Sequence, residues 1–168
     1  VEITGTYGKS SIVQRVSVYP GIARVDVECE IDFQEPHRML KHCVPTMATD
    51  GAPTYEIPYS YIERAANGDE DPGQKWIDMT GDVGGGVVGG VSVINDGRYG
   101  FDAKDGEFRT SVLRTAIYAF HCRRQVLGKE QYHYADLGKS TYRYSLVPHA
   151  GDWRTAAVPR IAEECNTP

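Results

Sequence analysis

The chain has 168 residues and a formal net charge of −5, from 18 Lys and Arg against 23 Asp and Glu. This balance argues against nucleic acid as a partner, because no basic stripe is present to neutralise phosphates. No apolar run approaches the roughly 20 residues that cross a bilayer, so no membrane partner is expected either. The length fits one domain, residues 1–168, that can bury a core without disulfides.

The first residues, "VEITGTY", already have the composition of a strand, and the chain starts with Val1 rather than Met. No charged-then-apolar leader precedes this strand. We therefore expect the chain to be a domain taken from within a longer polypeptide.

Residues 24–32, "RVDVECEID", give the clearest strand signal, because apolar and charged residues alternate strictly there. A period of two is typical of an antiparallel strand with one buried face. Further strands are predicted at residues 11–19, 38–46, 54–64, 74–79, 91–95, 98–102, 107–115 and 141–148. Many short strands separated by Gly, Pro, Asn and Asp clusters predict an all-β fold, either an antiparallel sandwich or an open barrel.

Helix signals are confined to residues 152–165, "DWRTAAVPRIAEEC". Asp152 is the predicted cap, and Pro159 is expected to start a second short turn. Residues 119–139 have no clear period and are predicted to form a long loop. We expect less than about a tenth of the residues in helix, against a usual share of roughly a third.

The stretch "GDVGGGVVGGVSVINDGRYGFD", residues 81–102, contains a match to G-x-G-x-x-G at residues 84–89. That pattern binds a dinucleotide pyrophosphate only where a helix starts directly after it. Here the next residues are β-branched and end in the turn signal Asn95-Asp96-Gly97. The favoured interpretation is a glycine connection between strands, with no cofactor bound by this chain.

The four cysteines and five histidines lack the spacing of a zinc site, so no metal site is assigned to this chain. Free, partly buried thiols are the favoured interpretation, which suits a reducing cytoplasm. The cysteines are Cys29, Cys43, Cys122 and Cys165, and the histidines are His37, His42, His121, His133 and His149.

Residue chemistry alone indicates no catalytic centre. Eleven tyrosines could stack on sugar rings, but strand tyrosines also fill sheet faces. Carboxylate pairs suited to a glycosidase are Asp32 with Glu35, Glu63 with Asp78, and Asp96 with Asp102, and sequence cannot place any pair at the required separation of about 5 to 9 Å. From the residues alone, the chain is a soluble antiparallel β domain with a binding or accessory role.

Six ordered stretches resemble the C-terminal β-rich region of the glycoside hydrolase family 38 α-mannosidases. They are "DFQEPHRMLKHCVP" (32–45), "YEIPYSYIER" (55–64), "QKWIDM" (74–79), "GVSVINDGRYGFD" (90–102), "FRTSVLRT" (108–115) and "YRYSLVPHAGDW" (142–153). Departures occur at Ser60, where the family usually has glycine, at Ser140, and in residues 119–133.

The resemblance implies a galactose-mutarotase-like super-sandwich that supports an N-terminal catalytic domain of the same polypeptide. The parent would then be a retaining exo-α-mannosidase acting on α-mannoside glycans, with zinc in its catalytic domain. Neither the family's nucleophile motif nor its zinc ligands match this chain, so no catalytic residue and no metal ligand is assigned here.

One loop is expected to contribute to the substrate cleft. In relatives, the segment that matches "NDGRYG" carries a basic side chain, and the matching residue is Arg98, with Asp96 beside it as a second candidate substrate contact. The glycines are expected to form a β-hairpin whose Asn95-Asp96-Gly97 turn presents Arg98. The alternative for Arg98 is a surface or domain-interface ion pair. The alternatives for the whole chain are a free-standing carbohydrate-binding module and a mutarotase-like enzyme that uses a histidine and a carboxylate.

Overall fold

The computed structural model describes residues 1–118 and 132–167 and contains twelve strands and one helix. The strands are β1 (Glu2–Tyr7), β2 (Ser10–Val18), β3 (Val25–Phe33), β4 (Met39–Pro45), β5 (Pro53–Ile57), β6 (Ser60–Glu63), β7 (Asp71–Pro72), β8 (Trp76–Asp82), β9 (Val88–Asn95), β10 (Gly100–Lys104), β11 (Glu107–Arg114) and β12 (Gly138–Ala150). The helix α1 spans Val158–Asn166. Strand accounts for 56% and helix for 6% of the structure, which confirms the all-β prediction with one short C-terminal helix.

The strands form two sheets in which every pairing is antiparallel. The larger sheet has eight strands in the order β1-β2-β3-β12-β9-β8-β5-β6, and the smaller has the order β4-β11-β10-β7. Strand β12 is central because it pairs with β3 on one side and β9 on the other. It therefore joins the first three strands of the chain to the rest of the large sheet.

The core lies between the two sheets and follows the alternation of each strand. In β3, Val27, Cys29 and Ile31 are buried while Glu28 and Glu30 are exposed, as the period of two predicts. One buried cluster joins β5, β8 and β9 to β10 and β11 and includes Tyr55, Ile77, Met79, Val93, Phe101 and Phe108. A second cluster joins β3 and β12 to β11 and includes Phe33, Val112, Leu113, Tyr142 and Tyr144. Burial of these apolar side chains is the main force that holds the two sheets together.

Helix α1 covers part of the opposite, outer face of the large sheet. Trp76, Ile94 and Val147 on that face pack against Val158 and Ala162 of the helix. Trp153 lies in the same cluster, with its ring centroid 4.9 Å from that of Trp76.

Two sequence predictions need correction here, and one strand was not predicted. Residues 54–64 are a hairpin of β5 and β6 rather than one strand, and Tyr59 in its turn has φ 62°. Asp152 does not cap α1. Its carboxylate accepts the Thr155 N–H at 2.8 Å in the turn before the helix. Pro159 lies in the first turn of α1, which begins at Val158. The two-residue strand β7 was not anticipated, because two residues carry no periodic pattern.

The predicted long loop lies partly outside the described residues, which omit 119–131. Within the described residues, no helix is both long enough and apolar enough to cross a membrane.

The glycine run forms the loop between β8 and β9, where Asp82 pairs with Val88. Gly84 and Gly86 have φ of 121° and 77°, and their N–H groups donate to the Asp82 carboxylate at 2.7 and 3.1 Å. These N–H groups are therefore already bonded to a carboxylate of the chain itself. The segment that follows the loop is strand β9 and not a helix. The interpretation as a glycine connection between strands is confirmed.

Candidate functional site

The turn after β9 is built by Asn95, which is 2% exposed. Its side-chain amide donates to the Gln74 carbonyl at 3.1 Å, and its side-chain carbonyl accepts the Arg98 N–H at 2.7 Å. The backbone turns at Gly97, where φ is 77°, a conformation that glycine adopts without strain. These contacts fix the backbone from which Arg98 projects.

The turn is not the tip of a hairpin, which corrects the sequence interpretation. Strand β9 pairs with β8 and β12 in the large sheet, whereas β10 pairs with β7 and β11 in the small sheet. The turn therefore carries the chain across one end of the sandwich. Local sequence could not reveal this, because a turn signal between two strand patterns is the same in a hairpin and in a crossover.

Arg98 is half-buried at this end of the sandwich. Its Nη2 donates to the Thr141 carbonyl at 3.1 Å, and its Nη1 donates to the Gly97 carbonyl at 3.3 Å. Its Cζ lies 5.7 Å from the ring centroid of Tyr142, and its buried Nε has no hydrogen-bond partner among the described residues. The guanidinium thus keeps further N–H groups for another acceptor.

A cavity of about 370 Å³ adjoins Arg98. Its walls come from the small sheet through Val112 and Leu113, and from the start of β12 through Lys139 and Ser140. Asp136 also lines it and accepts the Arg114 N–H at 3.0 Å. The cavity combines one carboxylate with two cationic side chains, so it suits a polar ligand.

Asp96 does not share this cavity. Its carboxylate accepts two bonds from Arg143, from Nε at 2.8 Å and from the backbone N–H at 3.1 Å. It lies on the outer face, where it lines a different cavity. The two predicted substrate contacts, Asp96 and Arg98, are close in sequence but line different cavities.

Comparison with known proteins gives the family of this architecture. A family model described as the glycosyl hydrolases family 38 C-terminal domain matches residues 1–121. The chain belongs to this family. The resemblance seen in the six sequence stretches is thereby confirmed.

Two curated relatives of this family 38 domain extend the likeness. Alpha-mannosidase G of Dictyostelium discoideum is 27% identical over 159 residues, which are 90% of this chain and 13% of that protein. Alpha-mannosidase 2C1 of Mus musculus is 25% identical over 167 residues, which are 95% of this chain and 14% of that protein. The chain therefore spans about one seventh of the length of these relatives.

A solved structure shows the same fold. The crystal structure of an alpha-mannosidase from Enterococcus faecalis V583 matches with a TM-score of 0.74 and 17% sequence identity. The match covers 95% of this chain and 18% of that chain. The two-sheet arrangement of the family 38 domain thus recurs at low sequence identity.

A buried polar network, which sequence reasoning missed, lies in the large sheet of this family 38 domain. Asp78 is fully buried and accepts the Ser92 hydroxyl at 2.6 Å and the Thr80 hydroxyl at 2.7 Å. His149 Nε2 lies 2.8 Å from the same carboxylate, and its Nδ1 lies 3.1 Å from the Gly151 carbonyl. The available signal was a lone acid inside the apolar strand "WIDM".

Both ring nitrogens of His149 face acceptors, so both carry protons when the ring donates to each. Burial opposes the charged ring, but the hydrogen bond to Asp78 and the charge of that carboxylate outweigh it, so the pKa of His149 is raised. The side chains are 4% and 1% exposed. The two side chains are therefore largely shielded from solvent.

A bound zinc ion needs several His, Cys, Asp or Glu side chains close together. Among residues 1–118 and 132–167, no three His, Cys, Asp or Glu side chains lie together as a ligand set. Cys29, Cys43 and Cys165 are free thiols, and Cys122 lies outside the described residues. The described part of the chain does not fit a zinc ion.

Proposed function

We propose that this chain is the supporting β-sandwich of an α-mannosidase-like glycosidase whose catalytic domain is on the same polypeptide. The parent enzyme would hydrolyse terminal α-mannosides, and its zinc would be bound outside the part described here. The observation that carries this proposal is the alignment of 90% and 95% of the chain with two proteins named alpha-mannosidases.

Within that enzyme, Arg98 is the residue proposed to reach the substrate. Support comes from its place in the crossover turn and from the backbone carbonyls that orient its guanidinium. An oriented guanidinium with free N–H groups suits neighbouring sugar hydroxyls or an active-site carboxylate. Asp96 is bonded to Arg143, so its proposed contact with substrate would require hydroxyls that share this ion pair.

The test is Arg98→Ala in the full-length enzyme. We expect kcat/KM for an aryl α-mannoside to fall about ten- to a hundredfold, the cost of one charge-assisted hydrogen bond. Arg98→Lys should recover only part of this loss, because an ammonium group lacks the planar fork. The melting temperature should stay within a degree or so of the parent, since a half-exposed arginine contributes little to stability.

A matched control is Arg160→Ala on α1, whose side chain is 75% exposed and which should leave activity unchanged. Intact activity in Arg98→Ala, together with a melting temperature lowered by several degrees, would show that Arg98 stabilises the fold through its contact with β12 and does not bind substrate. That result would withdraw the site assignment and leave the family assignment standing.

A further inference from the structure

A cavity of about 400 Å³ lies on the outer face of the large sheet, beside the C-terminal end of α1. Its floor is formed by β2, β3, β12 and β9, and Cys165 and Asn166 of the helix close one side. This volume lies within the range of about 300 to 1,000 Å³ that is usual for small-ligand sites. None of the contacts assigned to Arg98 involves this cavity.

Most charges around the cavity are arranged as pairs. Arg24 lies 2.7 Å from Asp26, and Ser145 donates to the same carboxylate at 2.5 Å. Arg143 is paired with Asp96 at 2.8 Å. The lining contains three arginines and three acids, so its formal charges cancel. A lining of this kind offers many fixed donors and acceptors without attracting an ion strongly, which suits a neutral polar ligand.

Glu28 is the exception to this pairing. It lies directly across from Arg15 on β2 and from Arg143 on β12, which are its cross-strand neighbours. Arg15 is bonded to Glu2 and Glu30, and Arg143 uses its Nε for Asp96. Among the residues that the structure describes, the Glu28 carboxylate has neither a hydrogen bond nor an ion pair. It is an acceptor without a hydrogen bond in the floor of the cavity, near enough to Arg143 for the two charges to attract each other.

A free donor lies next to this acceptor. The side chain of Arg143 is 68% exposed, and its terminal nitrogens have no bond to the described residues. Directly opposed residues in a sheet have Cβ atoms about 4.5 to 5.5 Å apart, so one ligand can reach both groups. Vicinal sugar hydroxyls can donate to a carboxylate and accept from a guanidinium at the same time. Tyr19, which is 52% exposed at the rim, offers an aromatic surface for a sugar ring.

We propose that this cavity is a second carbohydrate site, separate from the Arg98 cavity, which binds a neutral pyranose through vicinal hydroxyls held by Glu28 and Arg143. The choice of an α-mannoside as the sugar rests on the proposed function.

The experiment is an NMR titration of the ¹⁵N-labelled chain with methyl α-mannoside. The amide signals of Glu28, Arg143 and Ser145 should shift together and saturate at an about millimolar dissociation constant, as for a small ligand with few contacts. Glu28→Gln should weaken binding by about tenfold, because a neutral amide replaces a charged acceptor. Cyclohexanol, which has a ring but no vicinal hydroxyls, should cause no saturable shift.

Glu63→Gln is the matched control, because Glu63 is an exposed strand carboxylate on β6 at the far edge of the same sheet. It should bind the sugar as the unchanged chain does. Absence of saturable shifts, or equal binding by Glu28→Gln, would overturn the inference. If shifts arose only around Arg98 and disappeared in Arg98→Ala, the sugar would occupy the other cavity. That outcome would overturn this inference while supporting the proposed function.

Discussion

Two histidines show how neighbouring groups decide the charge of a buried side chain. His149 is held between the Asp78 carboxylate and the Gly151 carbonyl, and its pKa is raised although burial opposes the charge. His42 packs against Tyr144 with ring centroids 3.8 Å apart, and burial lowers its pKa to about 4. The same residue type is therefore favoured as a cation in one place and as a neutral ring in the other.

These two shifts predict a maximum in the stability of the chain near pH 6.5, the ordinary pKa of histidine. Above it, the unfolded chain loses the His149 proton while the folded chain keeps it, so the free energy of unfolding falls as pH rises through the folded pKa. Below it, His42 becomes protonated in the unfolded chain but stays neutral in the folded chain down to about pH 4. The free energy of unfolding therefore falls again as pH decreases. Urea unfolding between pH 4.5 and 8.5 measures both slopes.

His149→Gln should flatten the slope above pH 6.5 and leave the slope below it, and His42→Gln should do the reverse. Each variant is compared by slope, so any general loss of stability does not affect the result. A slope above pH 6.5 that survives in His149→Gln would show that another group causes it.

At the scale of elements, strand positions follow from local pattern, whereas strand partners do not. Residues 91–95 and 98–102 were predicted as strands, and both lie largely within β9 and β10. The predicted pairing of these two strands was wrong, because β9 belongs to the large sheet and β10 belongs to the small sheet. Val93 of β9 and Phe101 of β10 are buried in one cluster between the sheets, which a hairpin would not require. Burial across the sandwich, rather than the turn, selected the crossover.

The pairing of β8 with β9 depends on a close backbone approach at Gly90. A Cβ at this position would lie 2.1 Å from the Met79 carbonyl oxygen, which cannot move without disturbing the ladder. Gly90→Ala should therefore destabilise the chain by about 1 to 3 kcal/mol, the usual cost of overpacking. Chemical unfolding of the purified chain gives this difference.

Gly5→Ala on β1 is the matched control, because its added methyl would meet only the Ile12 Cγ2 atom at 3.3 Å. At 3.3 Å the Ile12 methyl has to shift by only a few tenths of an ångström, so this change should be within about 0.5 kcal/mol of neutral. Equal destabilisation by both substitutions would show that strand glycine itself, rather than the approach at Gly90, matters.

At the scale of the whole molecule, the chain alone is predicted not to hydrolyse α-mannosides. A retaining glycosidase needs two accessible carboxylates about 5 to 5.5 Å apart. The most buried carboxylates of the described residues have protein partners, since Asp78 binds Ser92 and His149, and Asp102 lies 2.6 Å from Arg109 and also contacts Lys41. Release of nitrophenol from an aryl α-mannoside, with and without added zinc, is the assay. Turnover that follows the protein through repurification would contradict the prediction.

The sequence by itself determined the fold class, most strands and the glycine connection, because alternation and turn residues act over a few positions. It also carried the family resemblance, which was needed to single out Arg98. Only the tertiary structure decided that β10 crosses to the small sheet, that Asp96 and Arg98 face separate cavities, and that Asp78, Ser92 and His149 meet. These facts depend on which strands lie side by side. That order brings together residues as far apart in sequence as Asp78 and His149, which local patterns cannot reveal.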